Sequence, residues 1–163
     1  MLTGGKYMNA LAKDIMNSNV VSVKTGETLK QAILKLLDNN INALPVLDDT
    51  GNLVGILSET DIVNYSGRSH VTSSIDTRKW VSPYEKTWEK HDVQLGAEII
   101  DRTYVDKVMS RKVTTVKPNA SVIEVAKVMS KKKINHVPVL DEDNKLCGII
   151  AREDIIRYLA NIE

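Results

Sequence analysis

The sequence contains one stretch twice, and this internal repeat is the strongest constraint on the fold. Residues 41–48 read Ile-Asn-Ala-Leu-Pro-Val-Leu-Asp, and residues 134–141 read Ile-Asn-His-Val-Pro-Val-Leu-Asp. Six variable residues later a Gly-apolar-apolar segment follows in both copies and ends in Asp-Ile, at 55–62 and at 148–155. The offset is 93 residues throughout. Such self-similarity predicts that one supersecondary unit has been duplicated.

Each copy begins with the signals of a short strand and a capped helix. Residues that are β-branched, which suit a pleated surface, are concentrated at 20–23 and 113–116. A hydroxyl residue follows in each copy, Thr28 or Ser121, with Gln or Glu three positions later, which is the spacing of a capping box. Apolar residues at helical spacing come next, so each helix has one apolar face to bury.

Two apolar strands and a second helix complete each copy. In the first copy the strands are expected at 44–47 and 53–57, joined by Asp, Thr, Gly and Asn residues that favour a hairpin turn. The polar sequence Ser-Glu-Thr-Asp at 58–61 is typical of a helix start, and apolar residues follow it. Each copy is therefore predicted to fold as β-α-β-β-α.

This order of elements, with an apolar-x-x-apolar-Pro motif before the hairpin and Gly-apolar-apolar-(Ser/Thr)-x-(Ser/Thr)-Asp after it, resembles the cystathionine β-synthase (CBS) domain family. CBS domains occur in tandem pairs called Bateman modules. The resemblance covers residues 12–64 and 104–160. It implies an α/β (α+β) fold in which the two tandem repeats form one globular module with pseudo-twofold symmetry. It also implies that two modules pair through their helices as a homodimer.

Two further segments lie outside the repeats. Residues 1–11 are weakly patterned and are expected to form an N-terminal arm. Residues 65–103 form an inter-repeat insertion, which is longer than the linkers expected of CBS pairs and contains both tryptophans. The front half of this insertion carries no period. A helix start is predicted at 82–85, where Ser, Pro and Glu occupy capping positions, and a second helical piece is predicted at 94–102.

The overall composition narrows the classes of function. The 22 Lys and Arg residues nearly balance the 21 Asp and Glu residues, so a net charge of +1 gives no global field that favours nucleic acid or an anionic membrane. A single cysteine, Cys147, excludes an intramolecular disulfide. No apolar run is long enough for a signal peptide or a membrane span. We expect a soluble cytoplasmic protein.

No catalytic or metal-binding constellation is recognisable in the sequence. The three histidines are too scattered for a metal site, and no Ser, His and Asp set has the spacing of a nucleophilic triad. We therefore expect no enzymatic activity, no metal and no cofactor.

The segment 55–61 carries the clearest functional signal. In the resembling family this segment holds the ribose and phosphate of an adenine nucleotide. The resemblance implies that Asp61 accepts hydrogen bonds from the ribose hydroxyls, while Ser58 and Thr60 face the phosphate. The alternative is purely structural, because Ser58 with Asp61 also forms a helix cap without any ligand.

The second copy departs from this pattern. Ala151 and Glu153 replace both hydroxyl residues, whereas Asp154 is retained and Arg152 adds a guanidinium that suits phosphate. The second site is therefore expected either to be empty or to take a ligand with less phosphate, such as S-adenosylmethionine or methylthioadenosine.

The resemblance also implies which residues contact the adenine ring. They lie in the first strand and in the turn before the second strand of each copy: Val21, Ser22, Asn42, Ala43 and Pro45 in the first, and Thr114, Thr115, Asn135, His136 and Pro138 in the second. For the prolines, the alternative is that they only end the preceding helical stretch. His136 is either a charge near a phosphate or an ordinary packed side chain.

Two basic clusters lie in the second copy. The three lysines at 131–133 end a predicted helix, where they complement the helix dipole, and Arg and Lys at 111–112 form the other cluster. Steering of a phosphate is the alternative role for both.

Two functions from different classes follow. The first is a regulatory module that binds adenosine-containing ligands, of the AMP, ADP, ATP or S-adenosylmethionine type, between its repeats and transmits a change to a partner. The second is a scaffold that binds no ligand, dimerises, and docks a protein partner through the insertion at 65–103.

Overall fold

The computed structural model describes residues 10–73 and 97–161, with the backbone alone for 67–73. The helix start predicted at 82–85 and both tryptophans lie outside the described residues. No helix in the described part of the chain is both long and apolar enough to cross a membrane.

The first copy folds in the predicted order β-α-β-β-α, preceded by one short helix. Its elements are α1 (Ala12–Ile15), β1 (Val23–Lys24), α2 (Leu29–Asp38), β2 (Ala43–Leu47), β3 (Leu53–Ser58) and α3 (Glu59–Ser73). β1 pairs in parallel with β2, which pairs antiparallel with β3, so the strand order is β1-β2-β3. α3 continues to Ser73 and so extends into the front half of the 65–103 insertion, where the sequence has no helical period. Residues 65–73 contain no proline and a single glycine, so nothing in them interrupts the helical ladder.

The second copy repeats this arrangement with a reduced first strand. Its elements are α4 (97–102), a 3₁₀ turn (Val105–Lys107), α5 (Val122–Lys132), β4 (His136–Leu140), β5 (Leu146–Ala151) and α6 (Arg152–Ala160). β4 and β5 are antiparallel. α4 lies within the helical piece predicted at 94–102.

The strand predicted at 113–116 is wrong in extent, because it is reduced to one parallel bridge between Val116 and Val139. Residues 113–115 precede this bridge, as residues 20–22 precede β1, so both first strands begin later than the β-branched segments indicate. The pairing also stops earlier in the second copy than in the first, and the residue two positions after Val116 explains this difference. In the first copy, Thr25 N donates to Leu47 O at 3.1 Å and extends the pairing. Its counterpart is Pro118, which has no N–H to donate.

Both predicted capping boxes are formed. Thr28 N donates to Gln31 Oε1 at 2.8 Å, and Gln31 N donates back to Thr28 Oγ1 at 3.3 Å. At the start of α5, Ser121 N donates to Glu124 Oε2 at 2.7 Å, and Glu124 N donates to Ser121 Oγ at 3.2 Å. These reciprocal bonds satisfy N–H groups that a helix leaves unpaired at its first turn.

The segments that lead into the two repeats are exchanged between them. α1 packs into the core of the second copy, with Ala12 N donating to Ala120 O at 2.7 Å. Val105 and Met109, which lead into the second copy, are buried in the core of the first. Each sequence repeat therefore completes the core of the other, and the two form one module.

Two methionines at equivalent positions make these exchanged contacts against glycines. Met109 covers Gly55, and Met16 covers Gly148. The backbone continues the exchange, since Asn17 and Ile149 exchange N–H···O bonds of 2.9 and 3.0 Å. Gly55 in β3 and Gly148 in β5 are thus required because the lead-in segment of the other copy approaches closely at each position.

Gly148→Ala is expected to destabilise the protein by about 1–3 kcal/mol, the usual cost of overpacking a tight contact. A Cβ at Gly148 would lie 3.2 Å from the Cβ of Met16 and nearer still to its sulfur. Gly26→Ala is the matched control, because nothing lies within 4 Å of its added Cβ. The measurement is the free energy of unfolding in urea. The combination with Met16→Ala should cost less than the two single changes together, whereas equal effects at Gly148 and Gly26 would contradict the packing described here.

Candidate functional site

Two clefts open between the repeats, and each takes its walls from both copies. The Asp61 cleft has a volume of about 360 Å³, and the Asp154 cleft a volume of about 530 Å³. Among the residues that line the Asp61 cleft are Ser58, Thr60, Asp61, Thr114, Asn135 and His136. Among those that line the Asp154 cleft are Val21, Asn42, Ala43, Ala151, Glu153 and Asp154. The terminal motif of one copy therefore meets two parts of the other: the segment just before its first strand and the turn before its hairpin.

The end of β3 places Asp61 at the rim of its cleft. Asp61 is the third residue of α3, and its Oδ2 accepts from Ser58 N at 2.8 Å and from Ser58 Oγ at 2.6 Å. Asp61 N in turn lies 3.3 Å from Ser58 Oγ. The helix cap considered as the structural alternative is thus present. The cap occupies Oδ2 of Asp61. Among the hydrogen bonds between described residues none involves Oδ1, so the cap leaves an acceptor for a ligand.

The equivalent carboxylate in the second copy is engaged at both oxygens. Asp154 Oδ2 accepts from Ala151 N at 2.7 Å, and Asp154 Oδ1 accepts from Arg157 Nη1 at 3.2 Å. Arg157 Nη2 also donates to Glu153 Oε1 at 2.8 Å. A ligand that uses Asp154 must therefore compete with Arg157 for the carboxylate.

Sequence reasoning missed Arg157, which lines the Asp154 cleft. A signal was available, because Arg157 lies three residues after Asp154 and four after Glu153, so all three share one face of α6. The first copy has Asn64 at the equivalent position and makes no such fork.

The two clefts differ in charge. Lys112 and Lys133 line the Asp61 cleft, so one member of each basic cluster reaches it. Lys133 does so from the end of α5, where it adopts a left-handed conformation with φ of 55°. The two lysines stand against two carboxylates, Glu59 and Asp61, in the same cleft. The Asp154 cleft has one cation, Arg157, against three carboxylates, Glu59, Glu153 and Asp154. Phosphate is therefore better matched by the Asp61 cleft.

Asn42, Glu59 and His136 line both clefts. His136 Nε2 lies 2.6 Å from Asn42 Oδ1, which joins the turns of the two copies directly. Burial lowers the pKa of the His136 imidazole below its usual range, and the negative charges of Asp154 and Glu59 partly oppose this shift. These three residues are called the shared wall below.

Several residues implied by the resemblance do not line either cleft. Pro45 and Pro138 are fully buried within β2 and β4. Ser22 and Thr115 also lie outside both linings, and the carbonyl of Ser22 instead accepts from Lys35 Nζ at 3.0 Å. Arg152 is exposed at the start of α6. The prolines thus shape the sheets behind the clefts.

Cys147 does not face either cleft. Its Sγ donates to Val139 O at 3.4 Å, and burial raises the pKa of its thiol. The residue therefore acts as a small, partly buried side chain of β5. Among the described residues no group of His, Cys, Asp and Glu could hold a metal ion.

The CBS domain family model matches residues 12–68 and 105–161 of this chain. The chain is 32% identical over 157 residues to uncharacterized protein MJ1426 of Methanocaldococcus jannaschii, and the match covers 91% of this chain and 90% of that protein. It is 30% identical over 150 residues to L-aspartate semialdehyde sulfurtransferase of Methanosarcina acetivorans. That second match covers 92% of this chain but 24% of the sulfurtransferase.

Solved structures show the same fold. The CBS domain pair of protein MJ0100, in complex with 5′-methylthioadenosine and S-adenosyl-L-methionine, superposes with a TM-score of 0.71 and 26% sequence identity. The superposition covers 93% of this chain and 97% of that one.

Proposed function

Because this chain belongs to the CBS domain family, we propose that it is a regulatory module that binds adenosine-containing ligands in its two clefts. Ligand binding then changes the relation between the two repeats, and a partner senses that change. We further propose that the module acts in the cytoplasm and has no enzymatic activity of its own.

The crossed construction of the clefts carries this proposal. Each cleft joins the carboxylate motif of one copy to the segment just before the first strand, and to the turn before the hairpin, of the other. A ligand that bridges these walls has a different affinity for each relative placement of the repeats. Only such a difference allows a ligand to shift a conformational equilibrium.

The chemistry of the Asp61 cleft suits a phosphorylated adenosine. Asp61 Oδ1 offers an acceptor for ribose hydroxyls, and Thr60 offers a hydroxyl donor, whereas the hydroxyl of Ser58 already donates to Asp61 Oδ2. Lys112 and Lys133 supply positive charge for a phosphate. The apolar side chains Ile56, Val113 and Ile134 provide walls for a purine ring: all three line the cleft.

The comparisons support adenosyl ligands in general. The CBS domain pair of protein MJ0100 was solved with 5′-methylthioadenosine and S-adenosyl-L-methionine bound. Both compounds contain adenosine without phosphate, which suits the acidic Asp154 cleft. The match to the sulfurtransferase covers 24% of that protein, so its reaction is not transferred to this chain.

A thermal-shift screen with AMP, ADP, ATP, NAD, S-adenosylmethionine and methylthioadenosine tests the proposal. At 100 times its dissociation constant, a ligand that binds the native state stabilises it by about 2.7 kcal/mol. GMP and inorganic phosphate are the controls for base and phosphate. If none of the six adenosine compounds raises the melting temperature, the scaffold that docks a partner through 65–103 becomes the better account.

The unmodified chain is expected to be a homodimer. Large apolar side chains remain exposed on four helices, and Val63 on α3 and Ile156 on α6 occupy equivalent positions at 68% and 58% exposure. Such unpaired apolar area favours association. Sedimentation equilibrium should give about twice the chain mass of 18.2 kDa. Val63→Glu with Ile156→Glu should give a monomer, whereas Leu34→Glu on α2 is the control that should leave the dimer intact.

A species of single-chain mass for the unmodified protein at micromolar concentration would remove the dimer. Dissociation by Leu34→Glu alone would instead move the interface from α3 and α6 to α2.

A further inference from the structure

The shared wall holds an ionisable side chain between the two clefts. His136 belongs to β4, at the turn that contributes to the Asp61 cleft, and its ring also lines the Asp154 cleft. Its Nε2 lies 2.6 Å from Asn42 Oδ1 of the first copy. The imidazole is therefore fixed in place by a contact between the repeats rather than left free in solvent.

This contact decides where a second proton goes. Nε2 faces the carbonyl oxygen of Asn42, which can only accept, so the neutral tautomer that satisfies this contact carries its proton on Nε2. Protonation then occurs at Nδ1, so it adds a positive charge without breaking the bond to Asn42. His136 can thus change charge while the shared wall keeps its shape.

Charged groups line both clefts that His136 borders. From α3 and α6, the carboxylates of Glu59 and Asp154 favour the protonated form. Further carboxylates and cations line the same clefts: Asp61, Glu153, Lys112, Lys133 and Arg157. Burial nevertheless dominates and keeps the pKa of His136 below its usual value of about 6.5.

We propose that His136 selects phosphorylated ligands in the Asp61 cleft by taking up a proton when such a ligand binds. The inference rests on the proposed function, since it requires that an adenosine-containing ligand enters this cleft. A phosphate in the Asp61 cleft adds negative charge to that of the Glu59 and Asp61 carboxylates, which line the cleft without a ligand. An adenosine without phosphate supplies none, so its binding leaves the protonation of His136 unchanged.

The direction of the pH dependence follows from linkage. The anionic ligand raises the pKa of His136 in the complex above that in the free protein. Affinity for the phosphorylated ligand therefore increases as the pH falls through the pKa of the complex, and it levels off below the pKa of the free protein. A rise of about half a unit to one unit corresponds to a gain of about three- to tenfold.

Titration calorimetry with AMP and with adenosine, between about pH 8 and about pH 5.5, tests the proposal. Three substitutions separate the charge of residue 136 from its hydrogen bond. His136→Gln keeps a donor for Asn42 but is never charged, and His136→Arg is always charged. His136→Ala removes both and reproduces Ala43, the equivalent residue of the first copy. The phosphate of AMP itself titrates near pH 6, and this contribution cancels in the ratio of unmodified protein to variant at each pH.

The ratio of AMP affinities, unmodified protein over His136→Gln, should rise about three- to tenfold from the highest to the lowest pH. The same ratio for adenosine should stay constant over this pH range. The AMP affinity of His136→Arg should change with pH only as far as titration of the AMP phosphate itself explains. By NMR, the histidine resonance that is missing from His136→Gln should titrate at a higher pH with AMP bound than without it.

Identical AMP profiles for the unmodified protein and His136→Gln would overturn the role of His136 while leaving ligand binding in place. An equal rise for adenosine would also overturn it, because the proton would then not respond to phosphate. Failure of AMP and adenosine to bind the unmodified protein at any pH would overturn the role of His136 at its premise. The proposed function itself fails only if all six compounds of the thermal-shift screen also fail to bind, so the two failures are distinguishable.

Discussion

Asp61→Ala should weaken AMP binding by about 10- to 100-fold while the protein still folds. Ser58 holds the carboxylate at the rim of the cleft through Oδ2. Among the hydrogen bonds between described residues none involves Oδ1. A hydrogen bond to a charged group contributes about 1.5–3 kcal/mol, which corresponds to the expected loss for each bond to the ribose. Titration calorimetry with AMP provides the measurement.

Loss of a helix cap must be separated from loss of a ligand contact, because Asp61 performs both roles. The cap itself is worth about 1 kcal/mol of stability. Glu124→Ala is the matched control. The carboxylate of Glu124 accepts from Ser121 N and Ser121 Oγ in a cap of the same kind at the start of α5, but Glu124 lines neither cleft. That variant should lose stability and keep its AMP affinity. An unchanged dissociation constant in Asp61→Ala would show that the ribose is held elsewhere.

The local part of the fold could be predicted from sequence because its causes are local. Thr28 and Ser121 begin helices since each has its N3 partner three residues away, and the hairpins follow from turn residues between apolar strands. The short first strand of the second copy also has a local cause, the missing N–H of Pro118, but its effect depends on a hydrogen bond to β4 that the sequence does not display. Strand length was therefore less predictable than strand order.

The exchange of lead-in segments could not be predicted in the same way. Nothing in the pattern of Met16 or Met109 indicates which of two similar cores it enters, because both cores have the same period and nearly the same side chains. The exchange matters for the site, since it fixes the two copies against each other. The candidate site shows the same division: the motif at 58–61 was visible in the sequence, whereas its pairing with Thr114 and His136 of the other copy depends on the tertiary fold.

The role of Arg157 combines both kinds of information. Its spacing from Asp154 is visible in the sequence, but whether it approaches that carboxylate or points to solvent depends on the side-chain arrangement of α6. The fork at 3.2 Å to Asp154 and 2.8 Å to Glu153 gives the second site a physical reason to differ from the first. It adds to the difference in hydroxyl donors that the sequence had already indicated.

The two clefts should accordingly bind AMP unequally, with the Asp61 cleft at least about tenfold tighter. Thr60 offers a hydroxyl donor that Glu153 cannot replace, and the carboxylate of Glu153 repels phosphate. One lost donor to a charged group costs about 1.5 kcal/mol or more, which is about tenfold in affinity. Asp154→Ala leaves the Asp61 cleft to be measured alone, and Asp61→Ala leaves the Asp154 cleft, so calorimetric titration of the two variants compares the sites directly.

Two sets of substitutions should narrow this difference by separate routes. Ala151→Ser with Glu153→Thr supplies the missing hydroxyls and removes the repelling charge. Arg157→Asn places the residue of the first copy at the equivalent position and frees Asp154 Oδ1 for the ribose. Each is measured in the Asp61→Ala background, so that a gain in AMP affinity belongs to the Asp154 cleft. Tighter AMP binding by Asp61→Ala than by Asp154→Ala would reverse the ranking, and it would mean that the guanidinium of Arg157 recognises the phosphate itself instead of only holding the carboxylate.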